Sequence, residues 1–579
     1  MAAHTAGTTL IVKLKDTDRD ATQQQSLLRR MLTDANLPLR ADRALGSGWW
    51  RLVAGVDASA DQQARWLATL RAEVRLSHAM TEQRELRAAV PNDPLFRATD
   101  AASSQWWLDD NDSTASAGAA GFTKAWDITK GSAATVVAVL DSGITSHGDL
   151  NANLLTGYDF VSRAEYANKG GATRGAGAAD PGDALSQSEH DSNLALWDGC
   201  LVNETSSWHG TLVAGQLGAV TNNASGVAGI NWNARILPVR ISGKCGASVA
   251  DMVDGMRWAA GLTVSGVPLN PNPAKVVVIG FAGVTSCSAS DVNPDISAAA
   301  RLYQDAIAEV RARGVLIVAA AGNFRSVVGR PANCSGVFGV AAANRQGFKA
   351  IYSNFGKEVQ LLAPGGDANY RRTCDTELAD TGMVSTINTG KTAPDLGGYG
   401  AVSGTSFAAP QVAGAAALMW AANPSLTLSQ VEFGLKASAR PHVTAYALGT
   451  CSTSNSSRCS LDTSTGGAGL LDAAEAVKYA QAPTSYVAPT RSSVGLQSDN
   501  LTNCGRIQGS TPIPVPPAPA PAPVPAPAPT PTPSPTPTPA PSPSSGGGGG
   551  GAASPAWLLA LAGAAIALRP PRPRARKDQ

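Results

Sequence analysis

The stretch that decides the fold is residues 135–143, TVVAVLDSG, a continuous apolar run that ends in the carboxylate of Asp141. Further apolar runs of the same kind follow along the chain, at residues 235–241, 275–279, 315–319 and 337–341. Stretches with helical periodicity, such as 249–260 and 296–312, lie between them. Strands that are buried on both faces and alternate with helices are typical of a doubly wound, mostly parallel sheet with helices on both faces. We therefore predict an α/β fold from about residue 100 to 480, with the chemistry at the carboxyl ends of the strands.

The overall composition limits the class of protein. The chain has 579 residues, enough for two to four domains at roughly 100–200 residues each. Its 46 Lys and Arg residues against 44 Asp and Glu residues leave a net charge of +2, so nucleic acid is not an expected partner. Aromatic residues at 5% and a mean hydropathy of −0.06 exclude a polytopic membrane protein. Charged residues make up 16%, below the roughly 25% of typical soluble domains, which favours an exported protein.

Residues 1–88 form a separate, more charged segment. Strand-like stretches at 9–14, 49–53 and 74–78 alternate with helical stretches at 23–32 and 62–70. This order, β-α-β-α-β, predicts a small α+β domain. Residues 84–100 are then an exposed connector.

The carboxyl-terminal part differs in composition from the rest. Residues 483–511 are a tail, 512–551 are a Pro/Thr-rich and Gly-rich linker that favours polyproline II, and 552–579 combine a short apolar segment with a basic tail. The apolar stretch 555–568 is shorter than the roughly 20 residues that span a bilayer. A sorting signal and a simple membrane anchor are the two interpretations.

Three short motifs carry groups that serine hydrolysis needs. Asp141 ends a buried strand, His209 in WHGTLVAG opens a helix of small residues, and Ser406 in GTSFAAP lies just before another helix, with Pro410 expected in its first turn. A serine hydroxyl becomes a nucleophile when an imidazole takes its proton, and a buried carboxylate fixes the tautomer of that imidazole. Asn323 in AAAGN follows a strand and offers an amide donor for an oxyanion.

Each of these residues alone is most often structural, as a cap, a turn or a satisfied histidine. Their joint occurrence favours catalysis. Of the other histidines, His147 is interpreted as structural, and His4, His78, His190 and His442 are discounted.

Together, DSG at Asp141, HGT at His209, AGN at Asn323 and GTSFAAP at Ser406 resemble the four signatures of subtilisin-like serine proteases. The chain order Asp, His, Ser is the one found in subtilisin. The resemblance covers about residues 92–480 and implies a subtilisin-like catalytic domain over residues 92–482. It implies that Asp141 orients the base, His209 is the general base and acid, and Ser406 is the nucleophile. Asn323 and the backbone N–H of Ser406 would form the oxyanion hole, and no cofactor is required for the chemistry.

One departure from the family concerns the strand that flanks the substrate. The family usually has NMSLG where this chain has VIGFA at residues 278–282. The resemblance implies substrate contacts at Gly280, Phe281, Ala282, Ala321 and Gly322. Backbone pairing with an extended substrate can survive the change, whereas the pocket for the residue before the cut is expected only to be apolar or unselective.

Eight cysteines without a CxxC pair suggest disulfides rather than a zinc or redox motif. Similarity to secreted Gram-negative relatives implies the bridges Cys200–Cys245, Cys287–Cys334 and Cys451–Cys459, and leaves the pairing of Cys374 and Cys504 open. The Asp-rich loop 180–198 could hold structural calcium, although solvated carboxylates explain it equally well, so no ligand is assigned.

The resemblance also implies how the protein is processed and exported. Residues 1–88 would be an inhibitory propeptide that is cleaved between residues 79 and 100, with a small accessory domain that stays attached as the alternative. The carboxyl-terminal end resembles a GlyGly-type sorting signal. The expected partners are protein or peptide substrates, the propeptide, and the secretion and sorting machinery, with the enzyme itself a monomer. The expected location is the medium or outer surface of a Gram-negative bacterium, with a transient anchor at the carboxyl-terminal segment. No apolar secretory segment precedes Leu10, so export would need a signal peptide upstream of the given start. A catalytically idle surface binding module is the alternative function.

Overall fold

The computed structural model describes residues 8–16, 18–55, 58–82, 90–99, 104–111, 116–368, 380–444, 448–492 and 494–495. The chain divides into two units, Met1–Ile513 and Pro514–Gln579. The second unit lies outside the described residues, and so do the predictions for residues 512–579 and for Cys374 and Cys504. Within the described ranges, no helix is long and apolar enough to cross a bilayer.

The amino-terminal domain is a four-stranded antiparallel sheet with two helices. Its elements are β1 Thr9–Leu14, α1 Ala21–Asp34, β2 Leu39–Gly46, β3 Trp49–Ala54, α2 Ala60–Ala72 and β4 Leu76–Thr81, and its strand order is β2-β3-β1-β4. The predicted order β-α-β-α-β was incomplete because β2, LRADRALG, carries three charged residues, shows no regular alternation and is largely exposed. Leu28 and Met31 of α1 pack with Leu10 and Trp50 into a core that belongs to this domain alone.

The larger domain contains an eight-stranded sheet, in agreement with the predicted α/β class. Its strands are β5 Val136–Asp141, β6 Tyr158–Asp159, β7 Gly175–Ala176, β8 Arg235–Arg240, β11 Val276–Ile279, β12 Leu316–Ala320, β13 Phe338–Ala343 and β14 Val359–Pro364. Their order is β14-β13-β12-β11-β5-β8-β6-β7, and the β6–β7 pair is antiparallel whereas the other pairs are parallel. Two short hairpins, β9 Ser242–Gly243 with β10 Gly246–Ala247 and β15 Met383–Asn388 with β16 Gly397–Val402, lie outside it. The five predicted apolar runs correspond to β5, β8, β11, β12 and β13.

Helices pack on both faces of this sheet. The helices described in this domain are α3 Phe122–Trp126, α4 Ala164–Ala167, α5 Gln187–Ser192, α6 His209–Gly218, α7 Val249–Ala259, α8 Pro294–Ala312, α9 Thr405–Ala422, α10 Leu428–Ala437 and α11 Ala473–Gln481, of which α6, α7, α8 and α9 contact the sheet. Val137 and Val139 of β5 join the core with α6 and α9. Ala138 and Leu140 join the opposite core with α7 and α8. Alternate residues of one strand thus supply two hydrophobic cores, as expected of a strand buried on both faces.

The strand register brings the ends of three strands together. β11 lies between β5 and β12, with Ile279 aligned to Leu140 on one side and to Ala319 on the other. The residues that end or follow these strands therefore lie at one edge of the sheet. Asp141, Gly280 and Asn323 are among them, so the topology gathers the predicted groups at the carboxyl edge.

Candidate active site

A buried carboxylate holds the imidazole of His209. The Nδ1 atom of His209 lies 2.8 Å from Oδ1 and 2.9 Å from Oδ2 of Asp141, which is 1% exposed at the end of β5. The backbone N–H of Ser142 donates to Asp141 Oδ1 at 2.8 Å. Because a carboxylate only accepts hydrogen bonds, Nδ1 carries the proton and Nε2 is left as a basic nitrogen.

Glycine lets the helix of His209 approach the strand of Asp141. A Cβ on Gly210 would lie 2.1 Å from the carbonyl oxygen of Gly143 and 3.1 Å from Asp141 Cβ. Trp208, which precedes the helix with a φ of 49°, is anchored by its indole N–H to the carbonyl of Gly390 at 2.7 Å. The HG pair therefore supplies both the base and the close approach that it needs.

The charges around His209 favour its protonated form. Burial alone disfavours the imidazolium, but the charge and hydrogen bond of Asp141, and then the charges of Asp183 and Asp180, outweigh it. The pKa of His209 is therefore raised above its usual value of 6.5. Such a base gains a proton readily at Nε2, and the carboxylate at Nδ1 stabilises the imidazolium that forms.

Ser406 is the second residue of α9, which Gly404 precedes as N-cap. Its Oγ donates a hydrogen bond to the carbonyl oxygen of Gly280 at 2.6 Å. The helix therefore begins two residues earlier than predicted, at Thr405, so that Ser406 lies inside it. Pro410 is the sixth residue of α9 and not part of its first turn, as was predicted. Because Pro410 has no N–H, the Ser406 carbonyl lacks the usual helical donor four residues on.

Gly280 is the residue at which the three predicted catalytic side chains meet. A Cβ on Gly280 would lie 2.7 Å from Asp141 Oδ2 and 2.7 Å from His209 Cε1, and its carbonyl binds the Ser406 hydroxyl. In this conformation the hydroxyl donates to Gly280 rather than to the imidazole. The His209 ring is flanked by Phe281 and Phe407, with ring centroids 5.5 and 5.4 Å away.

The side chain of Asn323 has a fixed orientation beside the start of α9. Its Oδ1 accepts from the backbone N–H of Thr405 at 2.9 Å and from the Thr405 hydroxyl at 2.8 Å. The oxygen is thereby occupied, and Nδ2 lies 3.5 Å from where a Cβ on Gly404 would stand. An amide donor next to a helix N-terminus is suited to bind a developing negative charge. Thr405 was missed in the sequence because its role depends on a contact across 82 positions.

Comparison with known proteins agrees with this geometry. The model of the Subtilase family matches residues 132–469, more than half of the chain. The chain belongs to the subtilase family. This subtilase is 44% identical over 319 residues to an "Extracellular protease" of Xanthomonas campestris pv. campestris, covering 55% of this chain and 49% of that protein. It is 38% identical over 347 residues to an "Extracellular basic protease" of Dichelobacter nodosus, covering 58% and 49%.

A solved structure is also similar to this subtilase. It is a protease of Pseudoalteromonas arctica, with 40% sequence identity and a TM-score of 0.55, and the match covers 68% of this chain and 100% of that one. The subtilase spans about half the length of the two curated relatives, at 49% of each.

The predicted substrate positions of the subtilase lie side by side. A Cβ on Gly322 would lie 3.3 Å from the Cβ of Ala282, so the segment after β11 adjoins the loop after β12. The backbone N–H of Ala321 donates to Val340, and that of Gly322 donates to the Thr405 hydroxyl at 3.1 Å. The backbone N–H groups of Ala321 and Gly322 are therefore already used within the protein.

The cysteines of the subtilase pair as the resemblance implied. Disulfides join Cys200 to Cys245, Cys287 to Cys334, and Cys451 to Cys459. His147 is fully engaged, since its Nδ1 accepts from the Asp149 N–H and its Nε2 donates to the Gly398 carbonyl.

In the part of the chain that the structure describes, no group of three or more His, Cys, Asp or Glu side chains is placed to hold a metal ion. Calcium in the loop 180–198 stays a prediction.

Proposed function

We propose that this subtilase is a serine endopeptidase that hydrolyses protein substrates through an acyl-enzyme on Ser406. The observation that carries the proposal is the convergence of Asp141, His209 and Ser406 on Gly280, with the amide of Asn323 beside the same helix terminus. Groups with these three roles are what acyl transfer to serine requires.

In the proposed mechanism, the Ser406 hydroxyl turns from the Gly280 carbonyl to Nε2 of His209. Nε2 takes the proton as Oγ attacks the scissile carbonyl, while Asp141 stabilises the imidazolium. The carbonyl oxygen becomes an oxyanion that accepts from Asn323 Nδ2 and the Ser406 N–H. His209 then protonates the leaving amine, and water repeats the sequence to release the acid.

One observation favours the alternative, a catalytically idle binding module: the Ser406 hydroxyl donates to Gly280 and not to His209. A fluorophosphonate probe discriminates between the two, because it reacts only with an activated serine. We expect labelling of the wild-type protein, loss of labelling in Ser406→Ala, and retained labelling in Ser403→Ala, a matched variant three positions earlier. Absence of labelling in mature wild-type protein would favour the binding module.

We further propose that the subtilase is made as a zymogen, with residues 1–88 as its propeptide. Asn92 and Asp93 support a cut before them, because they are fastened to the larger domain. Asn92 Oδ1 accepts from the Ala224 N–H at 2.8 Å, and Asp93 accepts from the Asn222 N–H at 2.8 Å. Amino-terminal sequencing should place the mature start between residues 79 and 100. Normal maturation of Ser406→Ala would mean that another protease makes the cut.

Export to the medium or outer cell surface completes the proposal. The two curated relatives, which are named as extracellular proteases, support it. The partners would be protein substrates and the secretion and sorting machinery, the enzyme would act as a monomer, and the end of the chain would be a sorting signal. Mass spectrometry of the carboxyl terminus of the protein from culture medium tests the last point, since an intact residue 579 would contradict removal of the signal.

A further inference from the structure

Asn354 binds the loop that carries Asn323 from both sides. Its Nδ2 donates to the Ala321 carbonyl at 3.0 Å, and its Oδ1 accepts from the N–H groups of Phe324 at 2.8 Å and Ser326 at 3.0 Å. Its own backbone N–H donates to the Gly322 carbonyl at 2.8 Å. With an exposed fraction of 1%, Asn354 makes these bonds away from competing water.

The bonds of Asn354 and of Thr405 fix different parts of Asn323. Thr405 holds the side-chain oxygen of Asn323, whereas Asn354 holds the backbone on either side of it. The fit is tight, since a Cβ on Gly322 would lie 2.5 Å from Asn354 Nδ2. The amide nitrogen of Asn323 can therefore shift little without breaking bonds to Asn354.

Asn354 is itself held in place by the turn that precedes it. The buried ammonium of Lys349 donates to the carbonyls of Ala350 at 3.0 Å and Ser353 at 3.1 Å. The Ser353 hydroxyl donates to the Asn354 carbonyl at 2.9 Å and accepts from the Ala342 N–H on β13 at 3.0 Å. All four polar groups of Asn354 are thus bonded, and the turn is tied to the sheet.

We propose that Asn354 is a positioning residue that places the amide of Asn323 for oxyanion binding; this inference rests on the proposed function. Asparagine suits the task because one short side chain supplies a donor for Ala321 and an acceptor for two N–H groups. Aspartate has the same shape but no donor, so it would set a charged oxygen against the Ala321 carbonyl. Alanine would leave one carbonyl and two N–H groups unpaired.

The test compares Asn354→Asp and Asn354→Ala with Asn344→Ala. Asn344 is a matched control because it is buried in the same segment and its Oδ1 accepts from the Phe348 N–H, away from the loop of Asn323. Active sites are first counted by titration with the fluorophosphonate. Rates are then measured on the peptide p-nitroanilide that the wild type cleaves fastest, and binding is measured with the peptide boronic acid of the same sequence.

Loss of a direct oxyanion donor in a subtilisin costs about 10²–10³ in kcat. For the indirect effect of Asn354 we expect kcat to fall about 10- to 100-fold, with KM changed less than about twofold. The boronic acid, which forms a tetrahedral adduct, should weaken by the same factor as kcat/KM. The Asn344→Ala variant should lose thermal stability but keep the kcat of the wild type.

Two outcomes would overturn the inference. One is an unchanged kcat in folded Asn354 variants. The other is a fall in kcat, together with a change in KM, that Asn344→Ala reproduces. Thermal melting identifies any variant that fails to fold, and Asn354→Ser, which keeps an acceptor and adds no charge, then takes its place. A wild type that no fluorophosphonate labels would instead overturn the proposed function, so the two failures are distinguishable.

Discussion

Replacing Asp180 by Asn should stabilise the protein more at pH 8 than at pH 4. Asp180 is 2% exposed, and its charge is one of those that raise the pKa of His209. Its Oδ2 accepts from the Ser142 hydroxyl at 2.7 Å and its Oδ1 from the Gly182 N–H at 2.9 Å. Burial raises its pKa to about 6 from the usual 3.8, although these two hydrogen bonds oppose the rise. The folded protein therefore carries a carboxylate that would ionise more easily in the unfolded chain.

The sign and size of the effect follow from this pKa. Well below pH 3.8 the carboxyl is protonated in both states, so its ionisation costs the folded state nothing. Stability falls as the pH rises from 3.8 to about 6, and it levels off above about 6, where the carboxyl is ionised in both states. A difference of about 2 pKa units, at 1.36 kcal/mol each, corresponds to about 3 kcal/mol as an upper bound. Asparagine has no such ionisation.

Urea unfolding at several values between pH 4 and pH 8 measures the effect. Both proteins should carry Ser406→Ala, which prevents self-digestion. At pH 4 the difference between them should be small, because the protonated carboxyl of Asp180, like the amide, offers one donor and one acceptor. Between pH 4 and pH 8 the free energy of unfolding of the Asp180→Asn protein should rise, relative to that of the protein with Asp180, by up to about 3 kcal/mol. A difference that is constant with pH, or that moves the other way, would refute the reasoning.

Three further perturbations test other contacts. Asp183→Asn removes a negative charge that raises the pKa of His209, so the acid limb of kcat/KM should move to lower pH, and a move to higher pH would contradict this. Arg458→Met leaves the buried carboxylate of Asp367 without its cation at 3.0 Å and should cost about 3–5 kcal/mol in urea unfolding, with Arg458→Lys as the milder control. A loss below about 1 kcal/mol would show that the pair is dispensable. Gly322→Ala, at a φ of +107° that alanine rarely adopts, should lower kcat at least about tenfold, whereas an unchanged kcat would show that the loop tolerates it.

The sequence alone predicts the parts of the molecule whose signals are local. The apolar run of β5 gives both the strand and, by its last residue, the place of Asp141. The helix starts at His209 and close to Ser406 follow from small residues and glycine next to each. Strand β2 escaped prediction because an exposed edge strand needs few apolar residues, so its pattern resembles that of a loop.

Contacts between distant parts of the chain could not be read in the same way. Asn354 lies 33 positions from Ala321, and Ser142 lies 38 positions from Asp180. Neither Asn354 nor Asp180 has neighbours in sequence that hint at its partner. Such supporting residues become visible only when the packing of the folded chain is known.

The two-faced burial of β5 limits how this protein can diversify. A one-residue insertion at the start of the strand would exchange the side chains of its two faces. Val137 and Leu140 would then each point into the hydrophobic core on the opposite face of the sheet. The same slip would carry Asp141 away from the imidazole. Engineering for altered selectivity should therefore leave this strand unchanged and vary the surface loops, because their length is not fixed by packing in a hydrophobic core.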